Sequence, residues 1–117
     1  RHLDQCKEII AGDNTILREL FNSEHGDEVP FRYSLAHAVV KPGQTTAPHK
    51  MKTSELYYIL EGEGRMFIDD ESETVHASHA ISIPPHATQY IQNTGSGDLK
   101  FLCIVDPAWR KEDEVVL

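Results

Sequence analysis

Turn-forming residues interrupt this chain about every ten residues, and that rhythm limits what it can fold into. Lys41-Pro42-Gly43-Gln44 is a strong turn, because proline presets one central φ and glycine accepts a positive one. Glu61-Gly62-Glu63-Gly64, Asp70-Glu71-Ser72-Glu73 and Thr94-Gly95-Ser96-Gly97-Asp98 repeat the signal. Between them lie RYSLAHAVV (32–40), ELYYIL (55–60), RMFIDD (65–70), AISIP (80–84), TQYIQN (88–93) and LKFLCIVD (99–106), short runs rich in β-branched and aromatic residues. The expectation is an all-β antiparallel sandwich or barrel. Segment 99–105 is apolar on nearly both faces apart from Lys100, which fits a barrel wall covered by a second subunit, so a homodimer is expected.

The ends read differently. DNTILRELF (13–21) fits a short helix capped by Asp13 or Asn14, and fits a strand equally well. Asp106-Pro107 followed by AWRKEDEVV (108–116) predicts a short terminal helix whose charge run, 110–114, is a solvated face. At 117 residues the chain is a single domain, 1–117. Its 11 basic and 19 acidic residues give a net charge of −8, which disfavours nucleic acid and anionic membrane as partners. No apolar run approaches the roughly 20 residues of a membrane span. Two cysteines, Cys6 and Cys103, are too few for a disulfide scaffold, and the expected compartment is the reducing cytoplasm.

The chemistry concentrates in GQTTAPHKMKTSELYYILEG (43–62). On a strand, residues two apart share a face, so His49 and Met51 point the same way. Glu55 opens the next extended run and can return to the same interior. Imidazole and carboxylate together suit a divalent ion such as zinc, manganese or iron. Taken alone, most such pairs are not metal ligands.

The spacing adds a resemblance to the cupin superfamily. That family's first motif is Gly, five residues, His-x-His, three or four residues, Glu, six residues, Gly. Gly43, His49, Met51, Glu55 and Gly62 reproduce every interval, with Met51 where the second histidine belongs. The second motif, Gly, five residues, Pro-x-Gly, two residues, His, three residues, Asn, is met in spacing by Ser78, Pro84, His86, Gln89 and Asn93. There only Pro84 and Asn93 match in type. The resemblance covers 43–62 and 78–93 with their connector, and implies a double-stranded β-helix (jelly-roll) barrel, here with short peripheral helical segments.

It also implies a metal centre inside the barrel. Carried over by position, the ligands would be His49, Glu55 and Gln89, with the thioether of Met51 a poor match for a hard ion. The ion would be divalent (Mn, Fe, Ni or Zn), and a cupin that has lost its metal and keeps a polar pocket is the alternative. His37, on the strand before the first motif, and His86, in a turn beside the pocket mouth, are candidate ligand-binding residues. Their plain readings are a hydrogen-bonded wall position and a solvent-exposed turn. His76 and His79 read as an incidental pair, and His2 and His25 as surface residues. Tyr57 and Ile59 share the parity of Glu55 and should line the interior, with Tyr58 and Leu60 outside. Tyr90 should leave the cavity if Gln89 enters it.

Two functions remain open. One is a small metal-dependent enzyme, of the sugar or sugar-phosphate isomerase-like kind that such cupins are likened to, with Glu55 or Tyr57 moving a proton. The other is a non-catalytic pocket for a small polar molecule such as a sugar or an organic acid.

Overall fold

The computed structural model describes residues 1–117 and folds as two antiparallel sheets closed into a barrel. Strands are numbered in chain order. The larger sheet runs β1 (Glu8–Ile10), β2 (Ile16–Phe21), β3 (Ser34–Val40), β10 (Leu99–Asp106), β5 (Ser54–Glu61) and β8 (Ala80–Ile83). The smaller runs β11 (Glu114–Val116), β4 (His49–Met51), β9 (Gln89–Asn93), β6 (Glu63–Ile68) and β7 (Glu71–His76). Helical structure is limited to three 3-10 turns, Leu3–Gln5, Ser23–His25 and Lys111–Asp113. No helix is long and apolar enough to cross a membrane.

The alternation seen in sequence sets the two faces. On β3 and β10 every second residue is buried, and Ala38 and Ile59 flank Phe101 from the neighbouring strands. A small alanine beside the ring leaves room for it, and full burial of Phe101 and Ile59 contributes about 1.5–3 kcal/mol each. These join Val40, Tyr57, Met66, Val75, Ile83, Ile91 and Leu99 in one core. The opposite face of β5 leaves Leu56, Tyr58 and Leu60 38–42% exposed.

Polar anchors lock the two sheets. The fully enclosed Asn93 amide donates to the Val40 and Gly97 carbonyls (2.9 and 2.8 Å) and accepts from Gly95 N–H at 2.9 Å. The last residue of β9 is thereby tied to the end of β3 and to the 94–98 turn.

Three elements depart from the sequence reading. Segment 13–21 resolves to a strand, because Ile16 and Arg18 pair with Val39 and His37. The expected terminal helix is a single 3-10 turn followed by β11. Arg110 is held by Asp113 at 3.0 Å, and the β-branched Val115 and Val116 pair with Lys50 and His49. The polar segment placed in a turn at 70–73 is instead the start of β7, an edge strand; the turn is earlier, at Asp69–Asp70, with Asp69 at φ 51°.

The cupin-motif glycines explain four backbone positions. Gly43 and Gly62 hold φ of 77° and 92°, and the two positions where the chain departs from glycine, Ser78 and His86, keep φ of 76° and 70°. The left-handed backbone has outlived the residue that makes it easy. Gly62→Ala should lose about 2 kcal/mol or more, since a Cβ there would lie 2.5 Å from the Asp98 carbonyl oxygen. Ser78→Gly should gain up to about 1 kcal/mol by relieving the left-handed strain. Urea unfolding measures both.

Candidate functional site

The core fills one end of the barrel and leaves the other open. The open end is a cavity of about 450 Å³, within the range of small-molecule sites. β4 supplies His49 and Met51, both buried, while Lys50 between them points to solvent. β5 supplies Glu55 and Tyr57, and β10 supplies Phe101, Cys103 and Val105. Beneath them β9 contributes Gln89, fully enclosed and paired in register with His49. The first and second motifs are therefore neighbours across β4, β5 and β9, as their spacing implies.

The polar groups at this end are unevenly satisfied. The Tyr57 hydroxyl donates to Gln89 Oε1 at 3.2 Å. Gln89 Nε2 and Glu55 Oε1 have no hydrogen-bond partner, although both are buried. The amide lies near enough to draw the pKa of Glu55 down yet makes no aligned hydrogen bond with it. Burial dominates: it pushes the Glu55 carboxyl up to about 8, with smaller upward pushes from Asp13 and Glu114. Burial, reinforced by Glu55, likewise pushes the Tyr57 hydroxyl and the Cys103 thiol upward, so Cys103 is not a nucleophile.

His49 is oriented from behind. Its Nδ1 lies 3.2 Å from the Ala47 carbonyl, which can only accept, so Nδ1 donates there, and the tautomer that this bond selects has Nε2 as the acceptor. Asp13 Oδ2 stands 3.8 Å from the same Nδ1, and Asp13 is itself fixed by Thr15 N–H at 3.1 Å.

Sequence reasoning missed the rim. Trp109 donates its indole N–H to Glu114 Oε2 at 2.7 Å, and His25 bonds Glu19 at 2.6 Å while its ring packs on Trp109. All four line the cavity, as does Asp13. They come from the β1–β2 turn (Asp13), β2 (Glu19), the β2–β3 connection (His25) and the C-terminal segment (Trp109 and Glu114). No local motif signals them; only closure of the barrel brings them together. His37, by contrast, faces away from the cavity on β3, where burial and then Lys100 and Arg18 hold its imidazole below the usual range. The His86 side chain is exposed in its turn, and its backbone N–H bonds the Met51 carbonyl at 2.7 Å. Neither lines the cavity.

The donor set fits a resident metal poorly. Nowhere in the chain do three or more His, Cys, Asp or Glu side chains converge in a metal-binding arrangement. Met51 offers only a soft thioether, and the one hard donor atom of Gln89 already accepts from Tyr57.

Comparison with known proteins agrees on the fold. Residues 36–105 match the family described as Cupin domain. An uncharacterized protein of Methanocaldococcus jannaschii, MJ1618, is 41% identical over 115 residues, which is 97% of this chain and 90% of that one. Among solved structures, the polyketide cyclase RemF from Streptomyces resistomycificus superposes with a TM-score of 0.76 at 24% identity, over 90% of this chain and 76% of that one. A Cupin 2 conserved barrel domain protein from Salinispora arenicola gives 0.78 at 18%, over 96% and 88%. Oxalate decarboxylase from Bacillus subtilis gives 0.82 at 22%, over 98% of this chain but only 30% of the enzyme. At these identities the likeness is one of fold.

Burial of Glu55 has a consequence for stability against pH. Its folded value (about 8) lies above its ordinary value of 4.5, so its contribution is fully present below about pH 4.5 and is lost as pH rises through 8. In chelator-treated protein Glu55→Gln, which cannot ionise, should match the parent near pH 5 and exceed it by up to about 4 kcal/mol at pH 8.5. Thermal melts across that range measure the divergence; parallel curves would mean that Glu55 is solvated.

Proposed function

Because the chain belongs to the cupin family, we propose that it is a small-molecule barrel in which Glu55 and His49, backed by the Tyr57–Gln89 pair, bind an oxygen-bearing organic ligand without a resident metal. The observation that carries this reading is the unpartnered Glu55 Oε1, buried in the wall of an open cavity. A buried polar atom left alone costs about 1–3 kcal/mol, and a ligand hydroxyl or carbonyl relieves that cost. Glu55 can donate to a carbonyl oxygen while protonated and accept from a hydroxyl when ionised. Nε2 of His49 accepts. An acceptor beside a group that can give a proton is the minimum for moving hydrogen between neighbouring atoms of a ligand, the chemistry of an isomerase-like enzyme. Tyr57 lines the cavity and holds Gln89 in place; Gln89 is fully enclosed and does not itself line the cavity.

The sugar-phosphate variant of that chemistry finds little support, because the lining contains no arginine and only one lysine, Lys7. The test is thermal: hydroxy- and keto-bearing small molecules should raise the melting temperature of the protein equally with and without EDTA, and Glu55→Ala should abolish the rise.

A second reading, a weakly held divalent ion on His49, Glu55 and Gln89 beside Met51, is favoured by the same lone Glu55 oxygen. It predicts stoichiometric metal by elemental analysis of protein purified without chelator, and a melting temperature that rises only when Mn, Fe, Ni, Zn or Co salt is supplied. Under the first reading Met51→His, which restores a nitrogen donor, gains metal affinity by about tenfold or more over a near-absent baseline.

The expected homodimer would use the outer face of the larger sheet, where Leu56, Tyr58 and Leu60 are exposed beside Leu102 and Ile104. Light scattering at micromolar concentration should give twice the monomer mass, and a monomer removes the dimer.

A further inference from the structure

The lining of the cavity says what kind of molecule it takes. Eleven of its 21 lining residues are hydrophobic, the aromatic Tyr57, Phe101 and Trp109 among them. Tyr57 and Phe101 line its wall and pack on each other with ring centroids 4.6 Å apart, both nearly enclosed, while Trp109 is the more accessible ring. Ile9 and Ile10, 42% and 67% exposed, extend the apolar surface to the rim. A sugar, hydroxylated on all sides, would leave most of its hydrogen-bonding groups against this surface unmatched.

Charge adds a second restriction. Four carboxyl groups, Asp13, Glu19, Glu55 and Glu114, line the cavity, against the single ammonium of Lys7, which is exposed at the rim. Each has its own setting: Glu19 against His25, Glu114 under the Trp109 indole, Asp13 behind His49, Glu55 with one oxygen alone. No cation faces inward to meet an anion, and the field of the acids repels one. At the opposite end of the ligand path the Glu19–His25 pair offers a second polar station, 47% and 24% of the two side chains (His25 and Glu19) being accessible.

We propose that the cavity takes an uncharged amphiphile, an aromatic or comparably apolar body ending in a carbonyl or hydroxyl, with the polar end at Glu55 and His49, and that it excludes carboxylates and phosphate esters. This rests on the reading of the cavity as the functional site and narrows it to a substrate class. The polar end is placed to enter first because Glu55 and His49 are buried while the lining isoleucines Ile9 and Ile10 are exposed. The apolar body lies along Phe101, Val105 and Trp109, and the rim isoleucines cover it.

Calorimetric titration at low salt with 4-hydroxyacetophenone, its carboxylate analogue 4-hydroxybenzoate, and glucose 6-phosphate tests the class. The neutral probe is expected to bind at least about tenfold more tightly than the carboxylate, and the sugar phosphate not at all. Ile10→Arg places a cation at an exposed rim position without disturbing the core, and should narrow the gap between the first two probes several-fold. Equal or tighter binding of either anion to the parent overturns the proposal, and so does absence of binding by the neutral probe. Ala36→Phe, checked for folding by circular dichroism, fills the cavity: if the neutral probe binds that variant unchanged, the cavity is not the site, and the underlying reading falls rather than the choice of class. Should Ala36→Phe fail to fold, Val105→Trp serves the same purpose from β10.

Discussion

Everything at the open end of the barrel depends on one carboxyl group held out of water. Glu55 lies on the inner face of β5, between strands that bury their alternate residues, and one of its oxygens meets no donor. Desolvation of that kind opposes ionisation more strongly than the Gln89 amide supports it. A barrel can tolerate the cost because the rest of its interior is closed and apolar: Phe101, Ile59, Ile83, Ile91 and Leu99 are essentially without solvent contact. The destabilising group is placed in the wall of a cavity, surrounded by an interior that is otherwise well packed.

The contrast with the other buried polar residues sharpens this. Asn93 fills every hydrogen-bonding capacity that its position allows, and Asn22 accepts from Glu24 N–H while donating to Glu19 and to the Trp109 carbonyl. Thr46 both accepts from and donates to the backbone of Ile91. Those are structural groups, and their networks are complete. The incomplete ones are Thr53 Oγ1, Glu55 Oε1 and Gln89 Nε2, which come from the β4–β5 connection and the two motifs. Incompleteness is thus confined to the neighbourhood where the family places its chemistry.

Much of this was legible in the chain itself. The spacing of Gly43, His49, Glu55 and Gly62 located β4 and β5, and period-two parity correctly sent Tyr57 and Ile59 inward, Tyr58 and Leu60 outward, and Tyr90 away from Gln89 onto Phe67. The second motif was legible in spacing although its glycines and histidine had changed, because the backbone at Ser78 and His86 still requires what glycine once supplied. What escaped was whatever depends on distant segments meeting. β7 is too polar to announce itself as a strand, and β11 forms only because β4 offers it an edge. Asp13, Glu19, His25, Trp109 and Glu114 carry no motif, since their relation to the site is made by closure of the barrel and not by sequence proximity. His37 was ambiguous for the opposite reason: its strand was plain, but which face was inward became clear only from Ala36 and Ala38 beside it.

The two departures from the family's ligand pattern act in the same direction. A histidine at position 89 would present a nitrogen; glutamine there presents an oxygen that accepts from the Tyr57 hydroxyl, enclosed outside the cavity lining. Methionine at 51 gives an apolar side chain that is only 2% exposed, in place of a second nitrogen. Together they replace two nitrogen donors with one internal hydrogen bond and one packed thioether. They also leave Glu55 without a cation to offset its charge. A carboxyl group so placed is most stable when neutral, or when it meets a neutral partner that shares a hydrogen. The rim adds three more acids and no inward-facing base of comparable strength. On the reading proposed above, a pocket altered in this way suits an uncharged molecule with a polar tip better than an anion, because its acids face no inward cation.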